Sequence, residues 1–319
     1  MSESYTTLKG FNSISDTDVQ SAILQNVISF FDWGFIDKGA FSNVRLNTAD
    51  IRAKNKSKLR LVADPNYTNG QVWSTFRENL VWESGVSCTT QPVQISGVYV
   101  NGAFKTPTTS GYQHYVDYTH GRVIFSSAIS TSSVVNMEYS YKDIYFTTDD
   151  IIPLVKSLQE NSHVITSDFT ANSGDWNILE RTKAQMPLVS IEISPRTRFK
   201  PLELGNSAYW METDILMHVL SEDSEAARKL SNFISYQIDK TIWMFDINLI
   251  ASSGAFPIDY RGAKTSHPLT YPSLVKHNND GGYRYNKLTF TDATLQGPTA
   301  VGTIFHSIVK FNTEVVSIV

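Results

Sequence analysis

Apolar positions recur at helical spacing near the start of the chain: Val19, Ile23, Val27 and Phe30, with Ala22, Leu24, Ile28 and Phe31 widening the stripe. This predicts a helix over 16–33 that packs on two sides, with Ser15 capping it, Asp16 and Asp18 at its positive end, and Gly34 and Gly39 closing it. Between 72 and 146 the period shortens to two. Asn101-Gly102, between the short runs 98–100 and 103–105, is a two-residue hairpin signal, because both turn residues tolerate positive φ. In 135–141, Val135, Met137, Tyr139 and Tyr141 face one way and Asn136, Glu138 and Ser140 the other. Helical spacing returns at Ile151, Leu154, Val155 and Leu158, with Pro153 in the first turn, and Asn172-Ser173-Gly174 marks a long loop.

The most regular part follows. A β-branched run over 188–193 closes at Ser194-Pro195, and a long strand is predicted over 209–220. Its core face is Tyr209, Met211, Ile215, Met217 and Val219; the opposite face carries Glu212, Asp214 and His218 and meets water or a partner. Ser221, Glu222, Asp223, Ser224 and Glu225 form an acidic helix start, and Ala227, Leu230, Ile234 and Ile238 continue at helical steps. Strand patterning resumes over 287–290 and 304–316, where Phe305, Val309, Phe311 and Val315 mark a half-buried face. A lysine-rich stretch over 55–65, then turns at Asp64-Pro65-Asn66 and Asn69-Gly70, places a boundary near residue 61.

Composition sharpens this picture. The 319 residues suffice for a sizeable core in one large or two modest domains. Charged residues are only 18%, which with abundant Ser, Thr, Asn, Tyr and Phe favours β structure and broad uncharged contact surfaces. A net charge of −4 and no Lys/Arg run give no footprint for specific nucleic-acid binding. A single cysteine, Cys88, excludes a disulfide framework within the chain and a cysteine-rich zinc site; it has no cationic neighbour in its segment. No signal peptide and no apolar run of about 20 residues is present, so no membrane span is expected.

The densest chemistry lies in 111–125, GYQHYVDYTHGRVIF. His114 and His120 could serve as metal ligands only if Asp117 and further groups joined them. A hairpin explains the stretch better: Tyr112, His114, Val116 and Tyr118 line one face, Gln113, Tyr115 and Asp117 the other, and Thr119-His120-Gly121 reverses the chain. The remaining histidines, His163, His218, His267, His277 and His306, are scattered. Asp149-Asp150 and Glu222-Asp223-Glu225 could do acid–base work, but acids at helix starts act first as caps. There is no phosphate-cradling glycine loop, HExxH, EF-hand or GxSxG, so no catalytic residue, metal or cofactor is expected. Trp73, Phe76, Trp82 and Tyr99 concentrate in the β-rich part, where they either fill a core or contact a partner.

The segments DWGFIDKGAF (32–41), QVWSTFRENLVWESGV (71–86), YVDYTHGRVIF (115–125) and FPIDYRG (256–262), in this order, resemble virion structural proteins of contractile-tailed bacteriophages of marine and cyanobacterial type. Within that group the outline is similar to tail terminator or neck proteins. The resemblance implies an α+β fold: a tail-terminator-like sheet with packed helices, from 1–60 and 149–319, and an inserted all-β module, 61–148. It implies a virion protein, not an enzyme, assembled in the host cytoplasm. Such a subunit forms a homo-oligomeric ring, a hexamer, that caps the tail and meets tail tube, sheath and connector proteins. Subunit contacts are then expected at Glu212, Asp214, His218, Glu222 and Asp223, with Trp73, Trp82 and Tyr115 at a neighbour's surface. A baseplate or receptor- or glycan-binding tail component is the alternative.

Overall fold

The computed structural model describes residues 19–47, 55–148, 185–201, 209–246, 250, 254, 256–266, 270–279, 287–301 and 304–316. The helix expected near 151–158, the loop at 172–174, Asp149-Asp150 and the caps Ser15, Asp16 and Asp18 lie outside them. The protein is mixed α/β and strand-dominated, with 41% strand against 18% helix.

One body is a curled half-barrel sheet of six strands, in the order β10 (Tyr145–Thr147), β11 (Leu188–Pro201), β12 (Tyr209–Ser221), β15 (Ile304–Val316), β14 (Lys287–Val301), β13 (Thr241–Trp243). Only β10 and β11 run parallel; the other neighbours are antiparallel. Alternation assigns the faces. Met211, Ile215, Met217 and Val219 of β12 join Val309, Phe311 and Val315 of β15 on the inner face. Helices α1 (Val19–Asp37) and α2 (Ser224–Ser235) pack on this face, α1 through Val19, Ile23, Val27, Phe31 and Phe35, and α2 through Leu230 and Ile234. The stripe of α1 is wide because it also meets Tyr271 of α3 (Tyr271–Asn279), through Phe30 at 6.0 Å. Asn26 is buried in α1 and acts as a length of strand backbone: its side chain donates to Phe245 O and accepts from Phe245 N, both at 2.9 Å.

The second body is the β module. It contains two hairpins at the predicted places: β4 (Val98–Val100) with β5 (Ala103–Lys105), and β6 (His114–Asp117) with β7 (Arg122–Phe125). Asn101 and Gly102 both have positive φ, as the two-residue turn requires. Its core gathers Trp73, Val98, Val116, Tyr118, Val123, Phe125, Met137, Tyr139 and Tyr141.

Strand pairing does not follow the boundary at residue 61. β1 (Phe41–Val44) pairs with β9 (Tyr139–Lys142), and Leu59 N donates to Val135 O. The 256–266 segment also joins the module: Gly262 O accepts from Tyr118 N at 2.8 Å, and Ile258 packs on the module core. At the other end, β10 leaves the module and adds to the large sheet. The two bodies therefore share chain crossings on both sides of the module.

Candidate functional site

The outer face of β12 carries the predicted carboxylates, and neighbouring strands place cations beside them. Lys200 Nζ donates to Glu212 Oε1 at 2.5 Å, Arg198 Nη1 lies 4.0 Å from Glu212 Oε2, and Lys310 Nζ lies 2.7 Å from Asp214 Oδ2. A shallow groove of about 250 Å³ runs among Arg196, Arg198, Glu212, Asp214, Asn312 and Glu314. These pairs are part-exposed, and such pairs contribute about 0–1 kcal/mol each, so their value to the isolated fold is small. What they build is a charged, hydrogen-bonding sheet face.

His218 does not belong to that accessible face. It is buried, with Nδ1 3.0 Å from His306 Nε2 and Nε2 3.4 Å from Glu192 Oε2. Alternation puts it on the same face as Glu212 and Asp214, where it is nevertheless buried beside His306 and Glu192. Burial and the nearby His218 ring both lower the pKa of His306.

Asp223 caps α2: its carboxylate accepts from Ala226 N at 2.9 Å, so its position is explained without any partner. Glu222 is exposed beside it.

The aromatic assignments divide. Trp73 is 3% exposed, and its indole N–H donates to Gly70 O inside the module; it belongs to the core and cannot face a neighbour. Trp82 is half-buried, packed on that core with Lys142 Nζ 6.0 Å from its ring centre. Tyr115 is half-buried but reaches a surface cluster that the sequence reading did not assemble. Its hydroxyl lies 3.3 Å from that of Tyr67, and the Arg261 guanidinium stands 5.1 Å over its ring and 5.6 Å over Tyr260. Asp259 fixes the turn by accepting from the Arg261 side chain and from the backbone of Arg261 and Ala263. Tyr260, at its tip, is 96% exposed.

The histidines of the hairpin point apart in function. His114 packs against Phe125 with the rings tilted by 54°, and its Nδ1 lies 2.8 Å from Tyr112 O, while His120 Nδ1 lies 2.7 Å from Asp117 Oδ2. Asp117, through that hydrogen bond, raises the pKa of His120. Among the described residues no three His, Cys, Asp or Glu side chains converge as metal ligands, and no helix is long and apolar enough to cross a membrane. His163 and His267 lie outside the described residues, as does the side chain of His277.

Comparison of the chain with protein-family models, curated proteins and solved structures found no match.

Proposed function

We propose that the chain is a structural subunit of a tailed-phage virion, at the neck or tail, and that it works as a tail terminator: a closed ring, a hexamer, that caps the tail and joins it to the head connector. The observation that carries this reading is the two-sidedness of the large sheet. One face packs α1 and α2 over its centre, while the other presents Glu212 and Asp214 among Arg198, Lys200 and Lys310. A polar face of that size, adding little to the stability of one chain, suits contact with other subunits better than it suits a solitary fold. The sheet and its two helices are the terminator-like part, and the β module decorates it.

A receptor- or glycan-binding role is favoured by a different observation, the rigid turn that holds Tyr260 and Arg261 outward beside Tyr115 and Tyr67. Tyr and Arg are the side chains most often found at binding hot spots.

Two measurements separate these readings. The purified chain, weighed by native mass spectrometry, is expected as one closed oligomer that halts growth when added to polymerising tail tubes. A monomer without effect on tube length overturns the terminator reading, and binding of the monomer to a glycan array supports the other.

A further inference from the structure

Each of the two edges of the large sheet is covered at one end only. β10 pairs only with 188–190 of β11, and β13 pairs only with 287–289 of β14, extended by the bonds between Phe290 and residues 239 and 240. Stretches 191–201 and 291–301 therefore have no outer strand among the described residues. They are equal in length, lie on opposite edges, and run in opposite directions, since three antiparallel pairings separate them. Each ends against a shoulder, β10 below one and β13 above the other.

We infer that these stretches pair with each other between successive copies of the chain, β11 of one copy against β14 of the next, antiparallel. The inference rests on the assembly reading above and supplies its contact. Seating both stretches shoulder to shoulder fixes the register, with 201 opposite 291. Three independent features then agree.

First, the irregularities meet. The break in β11 between Ile193 and Thr197 falls opposite the break in β14 between Gln296 and Thr299, where neither strand offers a regular ladder. Second, the pleats are in phase over 197–200 and 292–295, next to a further break in β14 between Phe290 and Asp292. Thr197 and Phe199 pair with Thr213 and Met211, and Ala293 and Leu295 with Phe311 and Val309, which places all four on the helix-covered face. Arg198, Lys200, Asp292 and Thr294 fall on the other. A slip of one residue would break this match. Third, the side chains suit one another. Phe199, 61% exposed, stands diagonal to Leu295, 38% exposed, and Lys200 stands opposite Asp292. The β11 stretch carries Arg196, Arg198 and Lys200 against one acid, Glu192, and the β14 stretch carries Asp292 and no cation.

Prolines, bulges and lysines also serve to keep edge strands from pairing at all. That purpose needs no correspondence between two distant edges, whereas here the breaks, pleats and charges correspond in one register. Because the contact joins unlike edges, it repeats from copy to copy, and the curl of the sheet turns each copy relative to the last, as a closed ring requires.

The test is a Lys200→Cys/Asp292→Cys double variant in a Cys88→Ser background, oxidised and run on a non-reducing gel. Within one chain β12 and β15 lie between the two positions, and Lys200 is level with Lys287 and not with Asp292, so the thiols are more than about 14 Å apart, beyond the reach of a disulfide, and linkage reports a neighbouring copy. A ladder ending at the ring size is expected from the double variant, with neither single variant linking to itself. Self-linkage of a single variant overturns the inference, because it marks a two-fold contact. A double variant that still weighs as a ring but does not link overturns the edge contact and leaves the assembly reading standing; a chain monomeric at every concentration overturns both. As a second readout, Lys200→Asp and Asp292→Lys should each weaken association by at least about tenfold, and the double swap should restore it. Three equal affinities would overturn the pairing of these two residues.

Discussion

Lys142, on β9, donates to Asp32 of α1 at 2.5 Å, and the same ammonium donates to Glu83 at 2.9 Å. This triad ties the helix of the large sheet to the β module across a nearly closed boundary, with Glu83 buried. Burial by itself would lower the pKa of Lys142, but the two carboxylates outweigh it and hold the group above its ordinary value. Burial, with the charge of Asp32, raises Glu83 despite the attraction of Lys142.

Lys142→Met should therefore cost about 3 kcal/mol in denaturant unfolding at neutral pH, since it strands two carboxylates beside an apolar core. The pH dependence has a definite sign. A lysine held above 10.5 keeps its proton longer when folded, so its contribution is whole below pH 10.5 and disappears as pH rises through the folded value. The gap between wild type and variant should narrow in that window. Without Lys142, Glu83 moves further up, and the variant should be most stable in acid, losing stability as pH rises through the folded value of Glu83.

His120 should titrate above 6.5 in wild type and fall back in Asp117→Asn, followed by the imidazole proton shifts in NMR. Because the folded value is the higher one, what this bond adds is whole below 6.5 and lost as pH rises through the folded value. An unchanged titration in Asp117→Asn would show that the hydrogen bond does not form.

Gly121→Ala and Gly297→Ala should behave oppositely. At Gly121 φ is +60°, and an added Cβ would sit 2.4 Å from Arg77 O, so the hairpin turn should lose about 2 kcal/mol. At Gly297 nothing lies within 4 Å, and the isolated chain should unfold at nearly the wild-type midpoint. Similar midpoints for the two would contradict the turn geometry.

Trp73→Ala should cost about 3–5 kcal/mol, as expected for an emptied core site. Tyr260→Ala should leave thermal unfolding unchanged, because its ring is outside every packed cluster, and should weaken only contacts made with another molecule.

How much of this was legible in the sequence depended on exposure. The 111–125 hairpin and the inner face of β12 could be read because one side of each is buried and the other is not, which writes a period of two into the residues. The run 291–301, TDATLQGPTAV, falls outside the strand patterning at 287–290 and 304–316 because that part of β14 lies on an edge, largely exposed, with a Gly-Pro bulge. The sequence pattern ends β11 at Pro195 for the same reason: on an edge, proline sits in a bulge and the strand continues past it. Trp73 and Tyr260 illustrate the opposite failure. Residue type says that each aromatic can fill a core or meet a partner, and only the pairing of distant segments, β3 (Val72–Ser74) with β7 and 256–266 with the hairpin, decides between them. The edge residues Phe199, Lys200, Asp292 and Leu295 left no local signal, because their relation exists only once the strand order is known.

The central claim is that this chain acts by assembling. It is tested most directly by the copy number and position of the chain in an intact particle, from quantitative mass spectrometry and cryo-electron microscopy. The account predicts a single hexameric ring between head and tail, with β11 and β14 of neighbouring copies in contact; isolated copies at the distal tip, or many along the shaft, would contradict it.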